Sequence, residues 1–380
     1  MINTVRSTGN VTAVRRVVDI ASKIDVLEPD SSPLLTLTKK IEKKVAINPD
    51  FNWLEEESLS KVDTVDYSTN YTSGATEIRV DNVTRFRAGD VVKDVTTGEQ
   101  LLVTALAGTD SLTVLRGWGT TAATTISDGE YLAIIGNANE EMATKRVAKI
   151  ADQTPKTNYL QIFRTPFGIS RTADNSEMYS GKDLAHQRMM QLIEHEKEVE
   201  RTFWFGEPKL YTSGTHYRRA TGGVDYFIST NATNASGTLT ESEFEDWLRT
   251  GFRYGSKTKW LFASPLIIQA INSWAKDNIQ VVPSAKTFGI NLAQWLTAFG
   301  MVNLVLTNLF TETTTFSGYA YLIDPEQLKY RYLANSDTRL KTNIQDNSAD
   351  GEEDEYIGEV GLQFMSEKKA SQLYGVTSFT

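Results

Sequence analysis

Three histidines, His186, His195 and His216, are the side chains best suited to proton transfer or metal binding near neutral pH, and their spacing serves neither. His186 and His195 stand nine apart on one helical stretch, and His195-Glu196 does not run on to a second His at the zinc-protease spacing. The expectation for both is a solvated helix face. His216 lies in the basic run Thr215-His216-Tyr217-Arg218-Arg219, which could meet phosphates or another chain's carboxylates, or simply face solvent. Gly181-Lys182 has the look of a phosphate-loop ending, but Ser176 stands where a Gly is needed and Asp183 where Ser or Thr is needed. The run Asp346-x-Ser348-x-Asp350-Gly351 opens like a calcium loop, yet its twelfth position is Ile357 in place of the bidentate Glu. The neighbouring Glu352-Glu353-Asp354-Glu355 is expected to be a solvated loop, since close carboxylates repel. No Gly-x-Ser-x-Gly elbow occurs, and nothing singles out a carboxylate pair among 48 acidic residues. The sequence therefore assigns no catalytic, cofactor-binding or metal-binding residue, and no cofactor.

What remains is contact chemistry. Trp and Arg are over-represented where protein surfaces meet. Trp53, Trp118 and Trp204 are expected to be exposed, and Arg116 sits beside Trp118. Arg15 and Arg16 flank a short apolar face made by Val11, Val14, Val17, Val18 and Ile20. The candidate contact residues are thus Arg15, Arg16, Trp53, Arg116 and Trp118, with the plainer alternative that Trp118 covers the end of its own β module.

Composition narrows the classes further. The 380 residues carry 39 Lys and Arg against 48 Asp and Glu, a formal charge of −9. A reader of nucleic acid needs the opposite surplus, whereas a surface that must not adhere to a polyanion suits this one. Hydrophobic residues at 40% are enough for a substantial core. With no cysteine, disulfides and thiolate chemistry are excluded. No apolar run approaches the ~20 residues of a membrane span, and no signal-peptide pattern opens the chain.

The elements that must position these residues follow from periodicity. Ala185, Met189, Leu192, Glu196, Val199 and Phe203 recur at helical spacing, predicting a long helix over about 182–205 that ends at Gly206-Glu207-Pro208. Asp183, Glu194, Lys197, Glu198, Glu200 and Arg201 fall on its other faces. Residues 76–136 read as short β-branched strands separated by Gly/Asp turns, with a hairpin at Thr97-Gly98, which predicts an inserted all-β module. Residues 207–240 read as loop, with Asn231–Gly237 a surface tip or boundary. Helices follow at Thr240–Tyr254 and from the Ser264-Pro265 cap, and strands at Trp260–Ala263, Val302–Leu306, Tyr319–Ile323, Leu328–Leu333 and Glu359–Phe364. The fold class expected is α+β.

This order of parts resembles the major capsid proteins of tailed bacteriophages with the Hong Kong 97-type fold. The run Val80-Asp81-Asn82-Val83, Phe86-Arg87-Ala88-Gly89-Asp90-Val91-Val92, Thr97-Gly98-Glu99 and Leu115-Arg116-Gly117 is similar to a β insertion in the SU-ten-like branch. The resemblance implies an N-terminal arm at 1–35, an extended-loop stem at 36–75 and 137–165, and the inserted β module at 76–136. It also implies a peripheral domain at 166–239 and 334–380 carrying the long spine helix, and an axial domain at 240–333. The function it implies is an icosahedral shell of hexamers and pentamers around double-stranded DNA, not an enzyme. Its partners would be copies of itself, a separate scaffolding protein and a portal, a decoration protein on some members, and only weak, non-specific contact with packaged DNA. Assembly in the host cytoplasm and residence in the virion follow. No Lys–Asn crosslinking pair is assigned by any motif. The alternatives are an encapsulin-like nanocompartment shell and a carbohydrate-active enzyme with a β accessory module.

Overall fold

The computed structural model describes residues 32–142, 144–176, 183–278, 281–283 and 293–380. Arg15 and Arg16 lie outside the described residues. The chain divides into two compact units, one running up to Trp53 and resuming at Lys156–Thr380, the other Leu54–Pro155.

Two sheets organise the first unit. The larger has seven strands in the order Ala232–Leu239, Ser371–Phe379, Ala320–Ile323, Thr258–Ala263, Met301–Leu306, Ala293–Leu296 and Val281–Pro283. Helices Glu241–Gly251 and Pro265–Asn278 supply Phe244, Trp247, Leu248, Ile267 and Ile271 to the core that this sheet shares. Both helices begin where local chemistry dictates. Thr240 and Glu243 form a reciprocal capping box, and the Ser264 hydroxyl accepts the amide of Ile267 ahead of Pro265. Lys259, buried in the central strand, donates to the carbonyls of Gly251 at 2.6 Å and Tyr254 at 2.8 Å, satisfying the end of the first helix.

The smaller sheet orders Lys43–Ala46, Leu328–Leu333, Gly351–Phe364 and Gln161–Ser170, with Arg339–Lys341 also pairing on Gly351–Phe364. Against it lies the long helix Asp183–Phe205. Only its C-terminal half is buried: Val199, Phe203 and Trp204 join Leu34, Leu35, Leu37, Phe163, Tyr330 and Val360 in one core, while Ala185 and Met189 face solvent. Each large apolar side chain buried this way contributes about 1.5–3 kcal/mol. Trp204, expected to be exposed, is fully buried, its ring 4.8 Å from Tyr321, 5.1 Å from Phe262 and 5.2 Å from Phe310. It lies one position after Phe203, so the apolar stripe widens at the helix end into a face that the chain must cover. Gly206 then lets the chain turn in tightly, for a Cβ there would lie 2.4 Å from the Thr221 carbonyl oxygen and 2.5 Å from that of Thr202.

Several expectations need correcting. His195 is buried, not solvated: Nδ1 lies 2.9 Å from the Thr165 hydroxyl, and burial lowers the imidazole's affinity for a proton. The acidic run is the start of a long strand in which Asp354 pairs with Arg188 and Glu355 with Arg164, so two of its carboxylates are buried and neutralised. Asp350 pairs with Arg171. Residues 207–240 are not a loop but a ribbon, a helical turn at Val224–Phe227, and the edge strand Ala232–Leu239. Strand partners also differ from the expected boundaries. Leu328–Leu333 sits in the smaller sheet, and Ser371–Phe379 returns to the larger one. Alternation announces a strand but not which distant strand it will join.

The second unit is a small closed barrel. Its strands run Val62–Thr64, Tyr131–Asn137, Asp90–Asp94, Gln100–Ala107, Ser111–Leu115 and Glu77–Arg79, and a bridge between Val65 and Val80 joins the first strand to the last. It therefore takes in sequence ahead of the expected start at 76. The hairpin turns at Gly98, whose φ of +78° is one that glycine adopts without steric cost. Ile78, Val80, Phe86, Val92, Leu101, Val103, Leu112, Val114 and Leu132 fill the interior.

Candidate assembly surfaces

In the barrel, Arg116 and Trp118 have opposite fates. The Arg116 guanidinium meets Glu99 through both oxygens, Nε to Oε1 at 2.8 Å and Nη2 to Oε2 at 2.7 Å, and the two side chains are 6% and 0% exposed. The amides of Gly117 and Thr124 also donate to the Glu99 carboxylate, each at 3.0 Å. Burial pushes the Glu99 carboxyl up, but Arg116 and those two amides more than offset it and hold the group below its ordinary range. Arg116 is thus an internal clamp on the loop after Leu115.

What the clamp presents is Trp118. Its amide donates to the Gln100 carbonyl at 2.9 Å, and the side chain stays 44% exposed. Pairing register shows what lies beside it. Leu115 opposes Leu102, Leu102 opposes Val91, and Lys93 opposes Ala133, which in turn opposes Val62. On the outer face of these strands Leu115, Val62, Tyr131, Ile135 and Val95 are exposed, with the exposed Lys93 among them, while Val91 is buried. The barrel's outside thus carries exposed apolar side chains around Lys93, whereas Glu77 and Arg79 on its last strand are exposed and charged.

Trp53 departs from expectation. At 7% exposed it packs with Phe51, Ala46 and Leu160, its ring 6.0 Å from Phe51 and 5.7 Å from Phe227. The alternation of Asp50–Glu55 puts Phe51 and Trp53 inward and Leu54 outward, a signal available in the sequence.

A residue that sequence reasoning placed on a solvated face proves central. Glu200 is fully buried, and its carboxylate accepts the amides of Leu34 at 3.0 Å and Leu35 at 2.6 Å and the Trp204 indole at 3.0 Å. It caps the helix Pro33–Ile41, whose own N-cap Ser32 makes no side-chain cap. Burial pushes the Glu200 carboxyl up to about 7 against the pull of those three donors. Lys39 on the same helix meets Glu196 one turn earlier at 3.0 Å. The long helix therefore grips the helix Pro33–Ile41, which begins within the last residues of the expected arm.

Among the described residues, no three His, Asp or Glu side chains converge as a metal site. No helix among them is long and apolar enough to cross a membrane.

A family model described as SU10 major capsid protein matches residues 2–377, and the chain belongs to that family. It is a major capsid protein of the tailed-phage kind, the class that its order of helix and sheet led us to expect. It is 21% identical over 327 residues to the major capsid protein of Pseudomonas phage PaMx41, a match covering 82% of this chain and 77% of that one. Among solved structures it is similar to the capsid of a native GTA particle, with 8% identity, a TM-score of 0.49 and coverage of 98% of this chain and 100% of the other. It is also similar to the SrpI encapsulin of Synechococcus elongatus PCC 7942, with 14% identity, a TM-score of 0.44 and coverage of 60% and 80%.

Proposed function

We propose that this capsid protein acts purely by tiling, without catalysis, as hexamers and pentamers of an icosahedral shell around double-stranded DNA. The observation that carries the reading is the family match along residues 2–377. The surface supports it: the barrel's exposed Leu115, Trp118, Tyr131 and Ile135, and the exposed Met142, Val147 and Ile150 on the strand-free stretch after the barrel, are costs to an isolated subunit and assets to an assembled one. Many modest contacts of this kind add by multivalency, so none need be strong. We further assign as partners a scaffolding protein and a portal, a decoration protein on the barrel wall, and weak non-specific contact with DNA, with assembly in the host cytoplasm. The match is to viral capsid proteins, and on that ground the nanocompartment and hydrolase readings are set aside.

Sedimentation combined with light-scattering mass of the purified chain tests the reading. Rings or shells of many copies are the expected result. A monomer that stays monomeric at high concentration and after addition of its phage scaffold would overturn it.

A further inference from the structure

We propose that the ribbon formed by Lys209–Ser213 and His216–Ala220 is a docking element that binds the carboxylate-bearing surface of a second copy of this chain. The inference rests on the shell-forming reading and adds to it a specific contact.

The ribbon stands apart from both sheets. Among the described residues its two strands pair only with each other, turning at Gly214, whose φ is +64°. A two-stranded hairpin is at best marginally stable in water by itself, and among the described residues no strand pairs with either outer edge. Register assigns its faces. Tyr211 opposes Arg218, with Lys209 and His216 on the same side, while Leu210 opposes Arg219 and Thr212 opposes Tyr217 on the other. Neither face is covered: Tyr211 is 56% and Tyr217 58% exposed, and Leu210 is exposed as well.

The base, in contrast, is fixed. Arg219 meets Asp50 at 3.0 Å, with its guanidinium 5.4 Å from the Tyr217 ring centre. Thr221 and Gly222 donate their amides to Gln161 at 3.1 Å and Asn158 at 2.7 Å. A rigid root and an uncovered tip describe a projection held ready for something else, at little further ordering cost.

Its chemistry selects the partner. From Lys209 to Gly223 there is no carboxylate, while Lys209, Arg218 and Arg219 are cationic, in a chain of net charge −9. Among the described residues, Lys209, His216 and Arg218 pair with no carboxylate. Cations alone would suffice for a phosphate backbone. Two tyrosines and two arginines together are the composition of a protein hot spot, in which aromatic area and bidentate charge pairing act at once. The chain supplies the complement: Glu352, Glu353 and Asp346 are exposed around the start of the strand Gly351–Phe364.

The absence of cysteine makes the test clean, because one introduced thiol is unique. Tyr217→Cys and, separately, Thr215→Cys would be labelled with a benzophenone maleimide before assembly, and the products examined by electron microscopy and then irradiated. Shells show that the tiling reading stands whatever the crosslinks do. In shells, the expected result is a chain-to-chain crosslink to an acidic peptide, and Arg218→Glu should raise the critical concentration for assembly about tenfold at low salt. Intact shells with no inter-chain crosslink from either position, or with crosslinks to nucleic acid instead, would overturn the inference.

Discussion

Glu200 shows how much one buried carboxylate can hold. Its folded value of about 7 lies above the ordinary 4.5. The fold then binds more protons than the unfolded chain between those values. The contribution of this group is fully present below about 4.5 and is lost as pH rises through about 7. Glu200→Gln replaces one acceptor oxygen by an amide facing N–H donors, and the expected cost is about 1–3 kcal/mol. Urea midpoints measured from pH 4.5 to 8 should show that the gap between the native chain and the variant is widest at the acid end. Parallel profiles would contradict the assignment. Glu99 has the opposite sign, since its carboxyl is held below the ordinary range, and its contribution is lost as pH falls. Arg116→Ala would strand that charge in the barrel interior, and a loss of about 3–5 kcal/mol in barrel stability is expected on denaturant unfolding. A cost near that of an exposed ion pair would show that the pair is not buried.

At the scale of elements, the helix end at Trp204 and Gly206 joins the long helix to its core. Trp204→Ala removes a side chain in contact with three aromatic rings, and a loss of about 3–5 kcal/mol is expected by urea unfolding. Gly206→Ala forces a methyl against two carbonyl oxygens, and a lowered Tm with a cost of about 1–3 kcal/mol should follow. A neutral outcome at Gly206 would mean the turn is looser than drawn. These elements also divide what the sequence discloses from what it hides. The helix beginning at Thr240, the Ser264-Pro265 start and the Thr97-Gly98 turn were readable because each signal lies within a few residues of its effect. Glu200 was not, because the amides it caps lie 166 and 165 residues away. The return of Ser371–Phe379 to the larger sheet and the burial of Asp354 and Glu355 were hidden for the same reason, since both depend on distant partners. Of the contact candidates, Trp118 alone is both described and exposed. Arg116 and Trp53 have buried side chains, and residue type suggests an interface equally well when the side chain belongs to a core.

For the molecule as a whole, surface left uncovered in one subunit should matter only when subunits meet. Trp118→Ala is expected to change the stability of the isolated chain by no more than about 0.5 kcal/mol, the scale of an ordinary surface change. The same variant should slow or weaken shell formation, followed by light scattering. Unaltered assembly kinetics would remove the barrel wall from the contact map. The most direct test of the central claim, that this chain works by tiling a closed shell, is electron microscopy of the purified protein at high concentration with and without its scaffold. Closed icosahedral particles, or open sheets of hexameric rings, are the predicted result. Discrete compact monomers under every condition would contradict it.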